Sequence, residues 1–323
     1  MEEKLLEVKD LSVAFNSYLG VAEVLDRISY SVDENQWLGI AGESGCGKTV
    51  SAFSLLKLLP EAAMIRNGEI LFKGESILDK SEREMRKLRG GEISIVFQEP
   101  QSALNPSKRV GENIVESLRL HQGIRGEEAK RRAIQMLDLV KIPQPRVRFS
   151  QFPHELSGGM QQRVCIAIAL ACHPSLLIAD EFTTSLDVTT QQEILKLVVD
   201  LQRQSTMSVL FITHDLALIS ECCDELIIMY AGQIMERGKV DRVFRNPSHP
   251  YTRLLLNAIP SISRKDEKLN SIDGSVPGLV NPPKGCRFHT RCKQKIPGRC
   301  DVVFPRETAI DETHRAWCHL LYT

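Results

Sequence analysis

The sequence predicts an α/β protein with a mostly parallel β-sheet and helices on the faces of that sheet. Three observations support this. Short apolar runs bounded by turn residues predict strands, stretches with helical spacing lie between them, and the two kinds of segment alternate along the chain. This alternation is typical of parallel sheets, because a parallel pair of strands needs a crossover connection. The predicted strands are 38–41, 93–97, 176–179 and 209–213.

Two parts of the chain depart from this alternation. Segment 99–164 contains two predicted helices, 112–120 and 127–140, with no convincing strand between them. We therefore predict an α/β core formed by 1–98 and 165–245, with 99–164 inserted as a helical subdomain. After residue 246 prolines and glycines punctuate the sequence, which predicts a small, loop-rich C-terminal domain over 246–323.

Composition limits the possible classes of protein. The 323 residues include 41 basic and 41 acidic side chains, and 42% of the residues are hydrophobic. These values exclude a disordered chain, a collagen-like repeat and a globally basic nucleic-acid binder. The longest apolar run, 164–172, has nine residues, whereas a helix that spans a bilayer needs about 20. Because the charged N-terminus lacks an apolar signal-peptide core, we expect a cytosolic protein.

Residues 42–49 have the pattern of a phosphate-binding loop, since Gly-Glu-Ser-Gly-Cys-Gly-Lys-Thr follows a predicted strand. Three glycines let backbone N–H groups turn towards phosphate oxygens, and the helix that follows adds the positive end of its dipole. Lys48 can reach the β- and γ-phosphates, and the Thr49 hydroxyl can bind Mg²⁺. The helix after the loop is predicted over 50–59, ending before Pro60.

Polar residues also end two other predicted strands. Asp180 and Glu181 follow strand 176–179, and His214 follows strand 209–213. An aspartate at a strand end suits a Mg²⁺ shell, and the adjacent glutamate can polarise an attacking water. Parallel strands present their carboxyl ends at one edge of a sheet, so we expect these residues to lie along the edge that carries the phosphate-binding loop.

A second candidate anion site precedes the predicted helix 164–171. Ser157 is a candidate N-cap, and Gly158 and Gly159 permit close approach of the backbone. The simplest reading is a capped helix and nothing more. A second exposed helix start in a chain with a phosphate-binding loop also suggests that two copies face each other across a triphosphate.

Taken together, and in this order and spacing, these motifs resemble the nucleotide-binding domains of ABC transporters. The resemblance implies a P-loop NTPase fold and ATP hydrolysis. It implies catalytic roles for Gln98, Glu181 and His214, and Mg²⁺ binding by Thr49, Gln98 and Asp180. One departure is Phe182, where the family usually has proline. The residues implied in ATP binding are Phe15, Gly42, Ser44, Gly45, Cys46, Gly47, Lys48, Thr49, Ser157, Gly158, Gly159 and Asp187.

Three of these roles are more specific in the resemblance. Ser157, Gly158 and Gly159 would contact the γ-phosphate of ATP held by the opposing subunit. Segment 185–187 would form the D-loop. Phe15 would stack on adenine, with Tyr18 as the alternative.

The sequence is more closely similar to the ATP-binding subunits of dipeptide and oligopeptide permeases, which include nickel-permease relatives. This similarity rests on segments 153–160, 246–253 and 285–292, and extends from about residue 5 to residue 320. It implies a peptide importer's ATPase, peripheral on the cytoplasmic face of the membrane. The implied partners are a second, identical or paralogous, ATP-binding subunit, two membrane permease subunits and an extracytoplasmic substrate-binding protein.

Two alternatives stay open from the sequence. One is a nickel-type permease ATPase, because peptide and nickel permeases share these motifs. The other is a soluble ABC ATPase that acts on nucleic acid or ribosomes through a basic, cysteine-rich tail. That class commonly has tandem ATPase modules or a long coiled coil, and this chain has neither, so we expect no nucleic-acid partner.

Four of the nine cysteines lie in the tail, at Cys286, Cys292, Cys300 and Cys318, with five, seven and seventeen residues between them. This spacing is typical neither of structural zinc sites nor of ferredoxins, so it leaves the metal open. Six cations and no acid lie between 284 and 299, which would stabilise an anionic cluster. The resemblance implies a [4Fe–4S] cluster, with zinc or unliganded thiols as alternatives and with His289 and His314 in structural roles.

Overall fold

The computed structural model describes residues 4–183, 186–258 and 272–322, with side chains except at 101 and 102. The strands are β1 Leu6–Ser17, β2 Gly20–Val32, β3 Trp37–Ala41, β4 Ala63–Phe72, β5 Glu75–Ser76, β6 Ile93–Val96, β7 Leu176–Asp180, β8 Ser208–Ile212, β9 Glu225–Tyr230, β10 Gln233–Lys239, β11 Thr308–Ala309 and β12 Arg315–Ala316. The helices are α1 Lys48–Leu55, α2 Glu82–Leu88, α3 Pro100–Ala103, α4 Val110–Gln122, α5 Gly126–Leu139, α6 Pro145–Arg148, α7 Gly158–Leu170, α8 Val188–Arg203, α9 Leu216–Cys222, α10 Val240–Arg245 and α11 Pro250–Asn257.

The chain forms two compact units. Unit 1 consists of residues 1–33, 37–78 and 211–323, and unit 2 consists of 34–36 and 79–210. Strand β8 crosses from unit 2 to unit 1 along the chain.

Unit 1 contains two groups of strands. One is an antiparallel sheet in the order β2-β1-β4-β5, and the other runs in the order β11-β12-β10-β9-β3. In the second group β3 and β9 are parallel, whereas β9, β10, β12 and β11 pair antiparallel. Every residue of β3 is buried, as expected for an apolar strand that is covered on both faces. This strand leads directly into residue 42 and so positions the phosphate-binding loop.

Unit 2 joins a parallel strand pair to a helical segment. Strands β6 and β7 pair in parallel with Val96 opposite Ala179. Between residues 99 and 164 the structure has helices and no strand, as the sequence predicts. A 3₁₀ turn at Pro153–Glu155 precedes α7, which is mainly buried along its length and lies against α3, α4 and α5.

The four predicted strands are confirmed as β3, β6, β7 and β8, but two helices differ in extent. The predicted helix 50–59 is wrong at its C-terminal end, because α1 ends at Leu55. Lys57 adopts φ +48°, a left-handed conformation that cannot continue a helix, so the chain turns before Pro60. Helix α7 begins at Gly158 instead of residue 164. Among the described residues, no helix has the length and apolarity required to cross a membrane.

Candidate functional site

The phosphate-binding loop of unit 1 is tightly packed. A Cβ atom on Gly42 would lie 2.2 Å from the carbonyl oxygen of Met229 in β9, so only glycine fits where the loop leaves β3. Gly47 is the N-cap of α1 with φ 103°, a backbone conformation that favours glycine. Lys48 is buried, and its Nζ donates to Gly42 O at 2.8 Å and to Glu43 O at 3.2 Å. The ammonium group is therefore held over the loop's own carbonyls.

His214 lies at the edge of unit 1 that carries this loop. Thr213 N–H donates to Ile40 O at 3.2 Å, so the end of β8 is beside the end of β3. His214 follows at once and is exposed. The predicted alignment of these two strand ends is therefore present.

In unit 2 the strand register aligns Gln98 with the acidic pair Asp180 and Glu181. Val96 is opposite Ala179, so Gln98 and Glu181 both lie two residues beyond the same rung. Asp180 is 5% exposed, whereas Glu181 is half-buried and has φ +45°. That left-handed conformation is uncommon outside glycine and marks a sharp turn.

Phe182, the departure from the family's proline, is 1% exposed. Its ring is buried in the protein interior immediately after Glu181. The substitution therefore exchanges a rigid backbone for a buried aromatic anchor at the end of the acidic turn.

Two predicted site residues, Ser157 and Asp187, are helix N-caps. Ser157 is the N-cap of α7, as the sequence predicts, and its Oγ accepts from Met160 N–H at 3.4 Å. Asp187, predicted as an ATP-binding residue of the D-loop, is also the N-cap of α8: its carboxylate accepts from Thr190 N–H at 3.0 Å and from Thr190 Oγ1 at 2.7 Å. These hydrogen bonds lower the pKa of Asp187. Ser185, in the same predicted D-loop, lies outside the described residues.

Gly159 lies against the α8 cap. A Cβ atom on it would be 2.9 Å from Thr190 Cγ2. The helix start at Ser157 and Gly158 is exposed, which leaves its N–H groups accessible to an anion.

The two candidate adenine-stacking residues lie in and beside the β1–β2 hairpin. Phe15 is half-buried on β1, where it pairs with Ala22 of β2 and Ala63 of β4. Tyr18 is 96% exposed. Both belong to unit 1, like the phosphate-binding loop.

The four tail cysteines line one small cavity of about 10 Å³ in unit 1, together with His249 and Phe288. Cys286 N–H donates to Cys300 O at 2.9 Å, and Ile296 N–H donates to Cys300 Sγ at 3.3 Å. Burial raises the pKa of Cys286 to about 12, and the neighbouring thiols add to this shift. His249, which the sequence did not single out, has Nε2 4.0 Å from Cys286 Sγ.

The convergence of these thiols does not by itself amount to a metal centre. Across 4–183, 186–258 and 272–322, no three or more histidine, cysteine, aspartate or glutamate side chains are arranged to hold a metal ion. His314 Nε2 lies 2.7 Å from Glu236 Oε1 in a fully buried pair, which is a structural role as expected. His289 lines the cavity, with its Nδ1 2.9 Å from Cys286 O.

The charge argument for an anionic cluster needs correction. The sequence shows six cations near the cysteines and no local acid, but three of these cations pair with acids from outside segment 284–299. The pairs are Arg287 with Glu23 at 3.1 Å, Arg291 with Glu43 at 2.9 Å and Lys293 with Asp273 at 3.2 Å. Sequence distance hid these acids, because they are supplied by remote segments of the chain.

Both parts of the chain match known protein families. A family model described as "ABC transporter" matches residues 25–184, and one described as "Oligopeptide/dipeptide transporter, C-terminal region" matches residues 235–300. The oligopeptide transport ATP-binding protein OppD of Bacillus subtilis is 48% identical over 89% of this chain and 81% of its own length. The chain belongs to the peptide ABC transporter ATP-binding proteins.

The sequence similarity to other members of this family extends over nearly the whole chain. The dipeptide transport ATP-binding protein DppD of Escherichia coli is 42% identical over 98% of this chain and 96% of its own length. A solved dimeric ATP-binding cassette in a post-hydrolysis state, bound to ADP and Pi, has a TM-score of 0.66 and 26% identity. That match covers 73% of this chain and 98% of the cassette. The family ATPase fold and its ABC-type ATPase activity are therefore shown for this chain.

Proposed function

We propose that this ATPase subunit drives the import of dipeptides or oligopeptides. The observation that carries the proposal is the match of residues 235–300 to the C-terminal region of oligopeptide and dipeptide transporters. Relatives matched over nearly the whole chain bear dipeptide transport names.

Each half of the site has residues suited to one part of ATP chemistry. In unit 1, the loop N–H groups and Lys48 would bind the phosphates. Thr49 and Asp180 would supply the oxygen ligands that Mg²⁺ prefers, with Gln98 as a further oxygen donor. Bound Mg²⁺ would neutralise charge on the phosphate oxygens.

Glu181 would polarise the attacking water, since its carboxylate follows the Mg²⁺-binding aspartate at a fixed turn. His214 would orient the γ-phosphate from the end of β8. Ser157, Gly158 and Gly159 would bind the γ-phosphate of ATP held by the facing subunit, and Asp187 would lie beside them. Phe15 would stack on adenine, with Tyr18 as the alternative.

The test of the catalytic assignment is Glu181→Gln. The variant should bind ATP with a dissociation constant close to that of the wild type, because the amide keeps the shape of the side chain. Its hydrolysis rate should fall by about two to four orders of magnitude, the range expected when general-base catalysis is removed. Full activity in this variant would remove Glu181 from the mechanism.

We further propose that the subunit works on the cytoplasmic face of the membrane with a second ATP-binding subunit and two permease subunits, served by an extracytoplasmic peptide-binding protein. In this arrangement 1–98 and 165–245 would form the ATP-binding core, 99–164 the helical subdomain and 246–323 the C-terminal domain. Affinity purification from membranes discriminates the alternatives. Recovery of permease subunits supports the proposal, whereas recovery of RNA, DNA or ribosomes would favour the nucleic-acid class.

We also propose that Cys286, Cys292, Cys300 and Cys318 hold a [4Fe–4S] cluster. The donor set supports this, because four thiols from separate turns of the tail line a single cavity and thiolates are the usual ligands of such clusters. When bound, a cluster would tie these turns together. Cys300→Ser should lose iron, acid-labile sulfide and visible absorption, with Cys172→Ser as the matched control. Zinc in the wild type in place of iron would contradict the cluster.

A further inference from the structure

We propose that Arg291 is a positioning residue for the phosphate-binding loop. Its guanidinium, which lies in the cysteine-rich tail, holds the second residue of that loop through an ion pair. The inference rests on residues 42–49 being the ATP site, and it adds a part of the tail to that site.

The ion pair is short and poorly exposed to solvent. Arg291 Nη1 donates to Glu43 Oε2 at 2.9 Å and to Oε1 at 3.1 Å, and the side chains are 6% and 24% exposed. Because burial reduces screening by water, such a pair constrains geometry more than an exposed pair does. Glu43 directly follows Gly42, the residue at which the loop leaves β3.

The arginine is itself fixed in place by three other contacts. Its Nη1 donates to Tyr230 Oη at 3.2 Å, its Nη2 to Ile272 O at 3.0 Å and its Nε to Asp273 O at 2.9 Å. The guanidinium therefore donates hydrogen bonds to strand β9, to the start of segment 272–322 and to the loop. A lysine could not reproduce this pattern, because its ammonium is a point donor on a flexible stem.

A second contact holds the backbone of the same loop residue. Glu43 N–H donates to Tyr251 Oη at 3.1 Å. The Tyr251 ring packs against Tyr230 at 4.7 Å and against Phe288 at 5.2 Å between centroids. Phe288 lines the four-cysteine cavity. The loop residue is thus held on its side chain and on its backbone by one continuous group of tail and β9 residues.

This arrangement favours one loop conformation before ATP binds. A phosphate-binding loop loses conformational entropy when its N–H groups converge on phosphate. If the loop is already ordered, this entropy loss on binding is smaller. Loss of the contacts of Glu43 with Arg291 and Tyr251 should therefore weaken nucleotide binding more than it affects the chemical step.

The decisive variants are Arg291→Met and Glu43→Gln, made singly and together in the full-length chain. Methionine keeps the apolar stem in its packed place and removes the fork. Each single variant should raise the dissociation constant for Mg-ATP by about tenfold, which corresponds to about 1.4 kcal/mol. The double variant should be no weaker than the worse single variant, since both remove one interaction. At saturating ATP the turnover number should be retained, while KM rises.

Tyr251→Phe tests the backbone contact without removing the ring, and it should raise the dissociation constant in the same direction. Lys293→Ala is the matched control, because Lys293 lies in the same tail segment, is 80% exposed and pairs with Asp273 instead of the loop. It should bind Mg-ATP like the wild type. Thermal unfolding without nucleotide is measured for every variant, so that a loss of stability is separated from a loss of affinity.

Wild-type affinity in Arg291→Met, or tighter binding in Glu43→Gln, would overturn the inference. Tighter binding would mean that the main effect of Glu43 is to repel phosphate through its negative charge, and not to position the loop through Arg291. Lys48→Ala separates this failure from failure of the ATP-site assignment itself. If the loop is the ATP site, Lys48→Ala abolishes saturable binding whether or not Arg291 has a positioning role.

Discussion

At the scale of single residues, the buried arginine after the first tail cysteine shows how the tail stabilises unit 1. Arg287 is 2% exposed. Its Nη1 donates to Glu23 O at 2.9 Å and to Ala231 O at 2.6 Å, and its Nη2 to Glu23 Oε2 at 3.1 Å. The next residue of that turn, Gly232, donates its N–H to Cys46 O at 2.9 Å. Arg287 therefore braces the β9–β10 turn against which the phosphate-binding loop lies.

Replacing Arg287 with methionine should lower the free energy of unfolding by about 3 kcal/mol, because two carbonyls and a carboxylate lose a buried donor. Chemical denaturation measures this value. The control variant is Arg86→Ala. Arg86 is 78% exposed and pairs with Glu82, so its replacement should change the free energy of unfolding by less than about 0.5 kcal/mol. Equal effects of the two substitutions would contradict the role of burial.

At the scale of secondary-structure elements, Asp187 has two roles: it is a predicted D-loop residue and it is the N-cap of α8. The N-cap of α8 satisfies N–H groups that have no partner within the helix. Asp187→Ala should therefore lower the free energy of unfolding, whereas Asp187→Asn should lower it less, since asparagine is also a good cap. If the alanine and asparagine variants are equally destabilised, the cap is not the source of the effect. Any loss of ATPase activity in Asp187→Asn would then report the proposed D-loop role, separate from capping.

The elements that were predictable from sequence are those with an uninterrupted pattern. Strands β3, β6, β7 and β8 are continuous apolar runs bounded by polar residues, and α4 and α5 have clear helical spacing. Strand β1 was not predicted, because register shifts between Val8 and Ala14 break its alternation and Asp10 adopts φ +47°. The period-two pattern that marks a half-buried strand is lost at such irregularities.

The residues of the candidate site likewise differ in whether a local sequence pattern predicts them. Residues such as Lys48 and Asp180 belong to local motifs, so their chemistry can be inferred from neighbours in sequence. The contacts of Glu43 with Arg291 and Tyr251 join positions more than 200 residues apart. No local pattern contains that information, although both tail segments already served to recognise the family.

At the scale of the whole molecule, the tail and the phosphate-binding loop belong to the same compact unit. Residues 272–322 lie in unit 1. Strand β12 pairs with β10, and Val280 bridges to Ala22 of β2. Tyr251 links the two sites within this unit, because its ring packs against Phe288 of the four-cysteine cavity and its hydroxyl accepts from Glu43 N–H of the loop.

This proximity predicts that the state of the four-cysteine cavity alters nucleotide affinity. Cys292 directly follows Arg291, so removing its thiol, a ligand of the proposed cluster, should loosen the guanidinium that holds Glu43. Cys292→Ser should raise the dissociation constant for Mg-ATP by about threefold to tenfold, or about 0.7 to 1.4 kcal/mol, and its effect should not add to that of Arg291→Met. Equilibrium binding, iron content and thermal unfolding are measured on the same samples, with Cys172→Ser as the control. A variant that loses its iron and still binds Mg-ATP like the wild type would show that the loop and the cavity are energetically independent, whereas parallel losses would make the cysteine tail part of the ATP site's own support.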